Sequence, residues 1–150
     1  MNYKTLLLTV FFFFSAYGMM AQYVESFSDG QLKRLFASTG TDSITKIDDG
    51  RFILYYGAVA VNLYNDLAGD LMLAWAMEGR CSDDLIHRWN AVRLTKAYID
   101  DEDDVVLSTY LRAGCLQADD VLRWQNAFVD DQKLFVDLVL EDRLLNQTEE

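Results

Sequence analysis

The chain has 150 residues, with 24 acidic against 13 basic side chains, a formal net charge of −11 and 51% hydrophobic residues. An acidic surface of that size repels phosphate backbones and anionic headgroups, so nucleic acid and membrane surfaces are excluded as electrostatic partners, while basic polypeptides or cations are not. No proline, Gly/Ser linker or repeat divides the chain, which is long enough for a single domain with its own core.

Residues 1–21 have the organisation of a secretory signal. Lys4 supplies the positive start, Leu6 to Phe14 form an apolar stretch broken only by Thr9, and small residues follow at Ser15, Ala16, Gly18 and Ala21. The apolar stretch is shorter than the roughly 20 residues that span a bilayer. Cleavage after Gly18 satisfies the small-x-small rule, whereas cleavage after Ala21 exposes Gln22 but puts Met19 at the third position back. A retained signal anchor is the alternative, and no cysteine lies near either site to receive a lipid. The expectation is a periplasmic or secreted protein, with residues 22–150 as the mature domain and no stable membrane insertion once the signal is removed.

The first predicted helix starts at Ser28, which forms a capping box with Gln31; Leu32, Leu35 and Phe36 share one face, and Gly40 can stop the helix. Ser43 to Ile47 is a short β-prone piece, and Asp48-Asp49-Gly50 is a turn signal. Phe52 to Tyr56 and Ala58 to Tyr64 read as strands, with Gly57 as a bend or bulge between them. Leu71 to Met77 follows as a central strand, with Leu71, Leu73 and Trp75 on one side and Met72, Ala74 and Ala76 on the other.

Ser82 caps a second helix, with Asp83 and Asp84 at its positive end and Leu85, Trp89 and Val92 as its expected buried stripe. Strands Thr95 to Asp100 and Val105 to Arg112 flank the acidic turn Asp101 to Asp104. The last helix runs from about Ala118 to Leu145, carrying Val121, Trp124, Phe128, Phe135 and Val139 at helical spacing. Asp130 to Lys133 interrupt its apolar pattern, and beyond Leu134 it is apolar on more than one side, as a helix buried from two directions or meeting a partner would be. The expected architecture is an α+β two-layer domain, α-β-β-β-α-β-β-α, with helices on one face of a five-stranded antiparallel sheet.

The block Trp89-Asn90-x-x-Arg93, followed by Ala97-Tyr98-Ile99-Asp100 and an acidic turn, resembles the YbjN-domain family. Leu94 stands where an aromatic is more usual there, and Cys115 and Gln117 replace a glycine and a hydroxyl cap. The resemblance implies a fold similar to type III secretion chaperones, dimerisation or partner binding at an exposed surface, and no inherited catalytic residue or cofactor.

Candidate chemistry is sparse. The run Asp100 to Asp104 invites calcium, but an EF-hand starting at Asp100 needs Gly where Val105 sits and Glu where Leu111 sits. His87 is the sole histidine and points away from the Trp89 face; with only two cysteines besides, a zinc site lacks ligands. Cys81 and Cys115 can pair in an oxidising compartment or act as two small buried hydrophobes. Trp89, Asn90, Arg93 and Tyr98 are the candidate binding residues. Either Trp89 fills the core, Asn90 caps or turns the helix end and Arg93 pairs with the acidic turn, or the three line a recognition groove with Trp and Arg as anchors. The functional expectation is a non-enzymatic binding or chaperone-like module that holds a protein partner or a second copy of itself. A small ligand-binding or enzymatic domain, with its pocket between sheet and helices, is the alternative.

Overall fold

Ser28 caps the first helix as expected. Its hydroxyl accepts from the Gln31 N–H while the Gln31 side chain accepts from the Ser28 N–H at 2.9 Å, so α1 (Asp29–Ala37) begins with two orphan donors satisfied. The structure, a computed structural model, describes residues 26–65, 69–112, 114 and 116–147. The segment read as a signal and Cys115 lie outside the described residues.

Four strands follow α1: β1 (Ser43–Asp48), β2 (Arg51–Tyr56), β3 (Val59–Asn65) and β4 (Leu71–Met77). Then come α2 (Asp83–Val92), β5 (Lys96–Ile99), β6 (Val105–Leu111) and the long α3 (Ala118–Gln147). The sheet is antiparallel throughout, in the order β1-β2-β3-β4-β6-β5. It is therefore α+β as expected, but with six strands rather than five. The additional strand is the short piece at Ser43 to Ile47, whose register with β2 runs from Ser43 opposite Tyr55 to Asp48 opposite Arg51. Only Ile44 of β1 is even partly buried, so apolar alternation could not announce it; pairing with β2 makes it a strand. A register shift between Lys46 and Asp48 and an exposed Lys46 blunt this sheet edge.

Gly57 opens a tight two-residue β2–β3 turn at φ +61° rather than making a bulge, its N–H donating to Asp42. Gly50 is more constrained. At φ +76° it lies so close to the end of β3 that a Cβ there would sit 2.7 Å from the Asn65 carbonyl oxygen.

One core holds the layers together. Leu32 and Phe36 of α1, Leu85 and Trp89 of α2, and Val121, Phe128, Phe135 and Val139 of α3 join Phe52, Leu54, Val61, Leu63, Leu71, Leu73, Trp75, Ala97, Val105 and Leu107 of the sheet. Every second strand residue thus faces the helices, and burying each large side chain stabilises the fold by about 1.5–3 kcal/mol. The alternate residues form the opposite face, which no described element covers.

Two helix expectations need correction. Val92 is 78% exposed, because α2 ends there and the chain leaves its axis at Arg93, whose backbone is extended. The C-terminal part of α3 is not buried from two directions by the described residues: Leu134, Leu140, Leu144 and Leu145 stand in solvent. Its core-facing stripe instead includes Gln125 and Gln132, both buried. Gln125 donates to the Tyr56 hydroxyl and accepts from Thr39 at 3.2 Å, so a polar side chain ties the turn after α1 to β2 and α3. Burial pushes the Tyr56 hydroxyl pKa up. No helix among the described residues is long and apolar enough to cross a membrane.

Candidate functional site

The candidate binding residues cluster where α2 hands over to β5. The Trp89 ring is buried, 4.7 Å from the Phe135 ring at 54°, and its indole N–H donates to the Thr95 hydroxyl at 3.1 Å. Thr95 in turn donates to one oxygen of Asp131 at 2.9 Å, and Arg93 donates to the other at 2.9 Å. The Arg93 guanidinium also lies 5.3 Å over the Trp89 ring. Asp131 of α3 therefore holds both ends of the α2–β5 connection, and it, rather than the acidic turn expected from the sequence, matches the charge of Arg93.

Asn90 does something different. Its amide donates to the Ala97 carbonyl at 2.8 Å and its carbonyl accepts from the Ala97 N–H at 2.9 Å. Ala97 lies on β5, the outer strand, so both of its edge groups are answered by one side chain rather than by another strand. The spacing of the Trp-Asn-x-x-Arg block now has a physical account: Trp89 fills the core, Asn90 closes an edge, and Arg93 reaches across to α3.

Beside this lattice opens a cleft of about 660 Å³, lined by Val92, Arg93, Leu94, Thr95, Lys96, Thr109, Tyr110, Trp124, Ala127, Phe128 and Asp131. Its floor is Phe128 and Trp124, whose indole donates to Thr109 at 3.3 Å, and its lip is Leu94, 94% exposed, beside Val92. β5 pairs with β6 only from Val105 to Ser108, and among the described residues no strand follows along that edge past Thr109 to Leu111. The cleft sits where a continuation of β5 would run.

Of the candidate residues, Arg93 lines the cleft, Trp89 supports it from beneath, and Asn90 adjoins it through the edge of β5. Tyr98 does not join them. Its neighbour Ala97 faces the core, so Tyr98 stands on the opposite face of the sheet, 45% exposed, with its hydroxyl pKa raised mainly by burial. Sequence reasoning missed Thr95, Tyr110, Trp124 and Asp131 as a group, because 36 residues separate Thr95 from Asp131. Leu94 carried a signal, an apolar residue in a polar connection between helix and strand.

The other candidates are structural in their surroundings. His87 is exposed. In the acidic turn, Asp100 accepts from the N–H groups of Glu102 and Asp104, each at 3.0 Å, and Asp104 accepts from Gly79 at 2.9 Å. Asp103, at φ +65°, pairs with Arg80 at 2.7 Å. Among the described residues no group of three His, Cys, Asp or Glu is placed to hold a metal.

Cys81 is buried and pairs with no cysteine among the described residues, and its thiol pKa is pushed up by burial and then by Asp142. It sits in a shallow hollow where Asp142 accepts from the Ser82 N–H at 2.7 Å and Arg143 donates to the carbonyls of Glu78 and Arg80, each at 2.8 Å. The Cys81–Cys115 pairing falls on a residue outside those described. A separate cavity of about 630 Å³ opens at the end of the sheet between Phe27, Asp29, Arg51, Tyr64, Asn65 and Leu71.

No family model matches the chain, and no curated protein or solved structure matches it either.

Proposed function

We propose that this protein is an exported, non-enzymatic binding module of YbjN-like, type III secretion chaperone-like character that captures a polypeptide segment in the cleft between β5 and α3. The observation that carries this reading is the cleft itself: an apolar floor of Trp124 and Phe128, an exposed lip of Val92 and Leu94, and a strand edge at Thr109 and Tyr110 with no described strand on the side away from β4. An extended segment entering there meets both backbone groups and apolar pockets, the combination that strand addition uses. The Asp131 lattice keeps the walls in place, so little ordering is needed on binding. The acidic surface favours a segment rich in Lys or Arg.

The test is site-specific photocrosslinking in the periplasm of the native host. A crosslinking residue at Leu94 is expected to give one discrete polypeptide adduct, lost in Trp124→Asp. The same residue at Leu144, far along α3, is expected to give none. Equal adducts from both positions, or none from Leu94, would sink the cleft as the capture site.

A further inference from the structure

We propose that the cavity at the end of the sheet binds a small quaternary ammonium ion between the rings of Tyr64 and Tyr110. The register sets Arg51, Tyr64, Met72 and Tyr110 opposite one another on β2, β3, β4 and β6, so one row of side chains crosses the outer face at this cavity. Strand side chains stand roughly perpendicular to the sheet, and β3 and β6 are two strand spacings, about 9.6 Å, apart. A guest midway between the rings lies about 5 Å from each, inside the roughly 6 Å over which a ring face attracts a cation.

Tyr64 already takes one cation in this way. The Arg51 guanidinium, reaching from β2, lies 5.4 Å from its ring centre and is held by Asp48 at 3.3 Å. Met72 and Tyr110 stand on the other side of Tyr64, and Tyr110 is 69% exposed.

Charge and polarity choose the guest. Asp29, Asp49 and Asp70 line the cavity against one basic residue, Arg51. Lys46 bridges Asp29 at 2.9 Å and Asp49 at 2.7 Å; with Lys46 and Asp48 included, acids still outnumber bases four to two. Cations are therefore attracted and anions repelled. A metal ion does not suit the site, since no described group of three His, Cys, Asp or Glu is placed to hold one and Met72 lies between the rings. A thioether and two ring faces cannot replace the oxygen ligands of a hard cation, but they match the methyl groups of a quaternary ammonium ion. The volume, about 630 Å³, is that of a small-molecule site. A phosphate on the guest would meet Asp49 and Asp70, so the ligand is the free ion rather than a phosphocholine headgroup.

The experiment is isothermal titration calorimetry of the purified protein at fixed ionic strength, with choline as the probe. Choline is expected to bind saturably, with its uncharged tert-butyl isostere and phosphocholine each weaker by about tenfold or more. Tyr64→Leu removes one ring and weakens choline by about fivefold or more, whereas Tyr64→Phe keeps the ring and the binding. Methyl NMR of the unaltered protein needs no variant: choline shifts the Met72 signal and leaves Met77, at the far end of β4 on the core side, unmoved. The proposal is overturned by no saturable binding, by equal binding of the isostere, by tighter binding of phosphocholine, by choline binding unchanged in Tyr64→Leu, or by a Met72 signal that does not move. Tyr110 borders the capture cleft as well and is left intact. Trp124→Asp, which disables the cleft, leaves choline binding unchanged, and Tyr64→Leu leaves the Leu94 adduct in place, so the two readings fail independently.

Discussion

Asn90 is the most informative residue to change, because its two possible roles separate cleanly. Its amide answers the N–H and C=O of Ala97 at 2.9 and 2.8 Å on the outer edge of β5, and Ala97 is 3% exposed. Asn90→Ala leaves both groups without a protein partner. An orphaned buried backbone group costs about 1–3 kcal/mol, and the half-buried position of Asn90 lets water recover part of it. The expected loss is therefore about 2–3 kcal/mol, measured by urea unfolding followed by circular dichroism. The Ala97 amide should also exchange its hydrogen faster.

Asn90→Asp sharpens the reasoning. At neutral pH the carboxylate still accepts from Ala97 N–H but faces its C=O with no hydrogen to donate, so the variant is as unstable as the alanine one. Below the carboxyl pKa it regains a donor and should close the stability gap to wild type. Asn90→Ala with stability unchanged within about 0.5 kcal/mol, and an unaltered Ala97 exchange rate, would refute the edge-closing role and return Asn90 to partner binding.

Two further perturbations test the other end of the sheet. Asp29 accepts from Lys46 at 2.9 Å, Asn65 at 3.1 Å and the Gly50 N–H at 3.2 Å, and these bonds, Lys46 foremost, hold its pKa below the usual carboxylate value. A depressed pKa contributes stability above the unfolded value and loses it as pH falls through the folded one, so Asp29→Asn should destabilise clearly at pH 7 and little at about pH 2; a gap independent of pH contradicts this. Gly50→Ala combines the left-handed backbone with a Cβ 2.7 Å from the Asn65 carbonyl, whereas Gly40→Ala, at φ +74°, meets nothing within 4 Å. Thermal unfolding should show Gly40→Ala losing about 1 kcal/mol and Gly50→Ala at least twice that; equal losses would mean the Asn65 contact relaxes freely.

Much of the local structure was legible because it depends on neighbours in sequence. Ser28 with Gln31, Ser82 before Asp83 and Asp84, and the Asp49-Gly50 turn are short-range devices, and each stands where its residues predict. The alternation of Leu71, Leu73 and Trp75 against Met72, Ala74 and Ala76 likewise assigned the two faces of β4 correctly. β1 escaped the strand count because an edge strand needs no apolar alternation; its pairing energy comes from β2. Val92 was misread because helical periodicity locates a face but not the residue at which the chain turns away.

The sequence by itself determined the α+β class, the core face of the inner strands and the acidity of the surface, since these follow from spacing and composition. Only the tertiary structure decided what the Trp-Asn-x-x-Arg block does. Asp131 is distant in sequence from Arg93 and Thr95, and nothing local to Asn90 names Ala97 as its partner. The antiparallel crossing of β5 and β6 beneath α3 brings them together, opens the cleft at the end of β5, and leaves the sheet face of Tyr64, Tyr98 and Tyr110 uncovered by any described element. Chain connectivity carries no trace of such contacts, because they exist only once the layers have stacked.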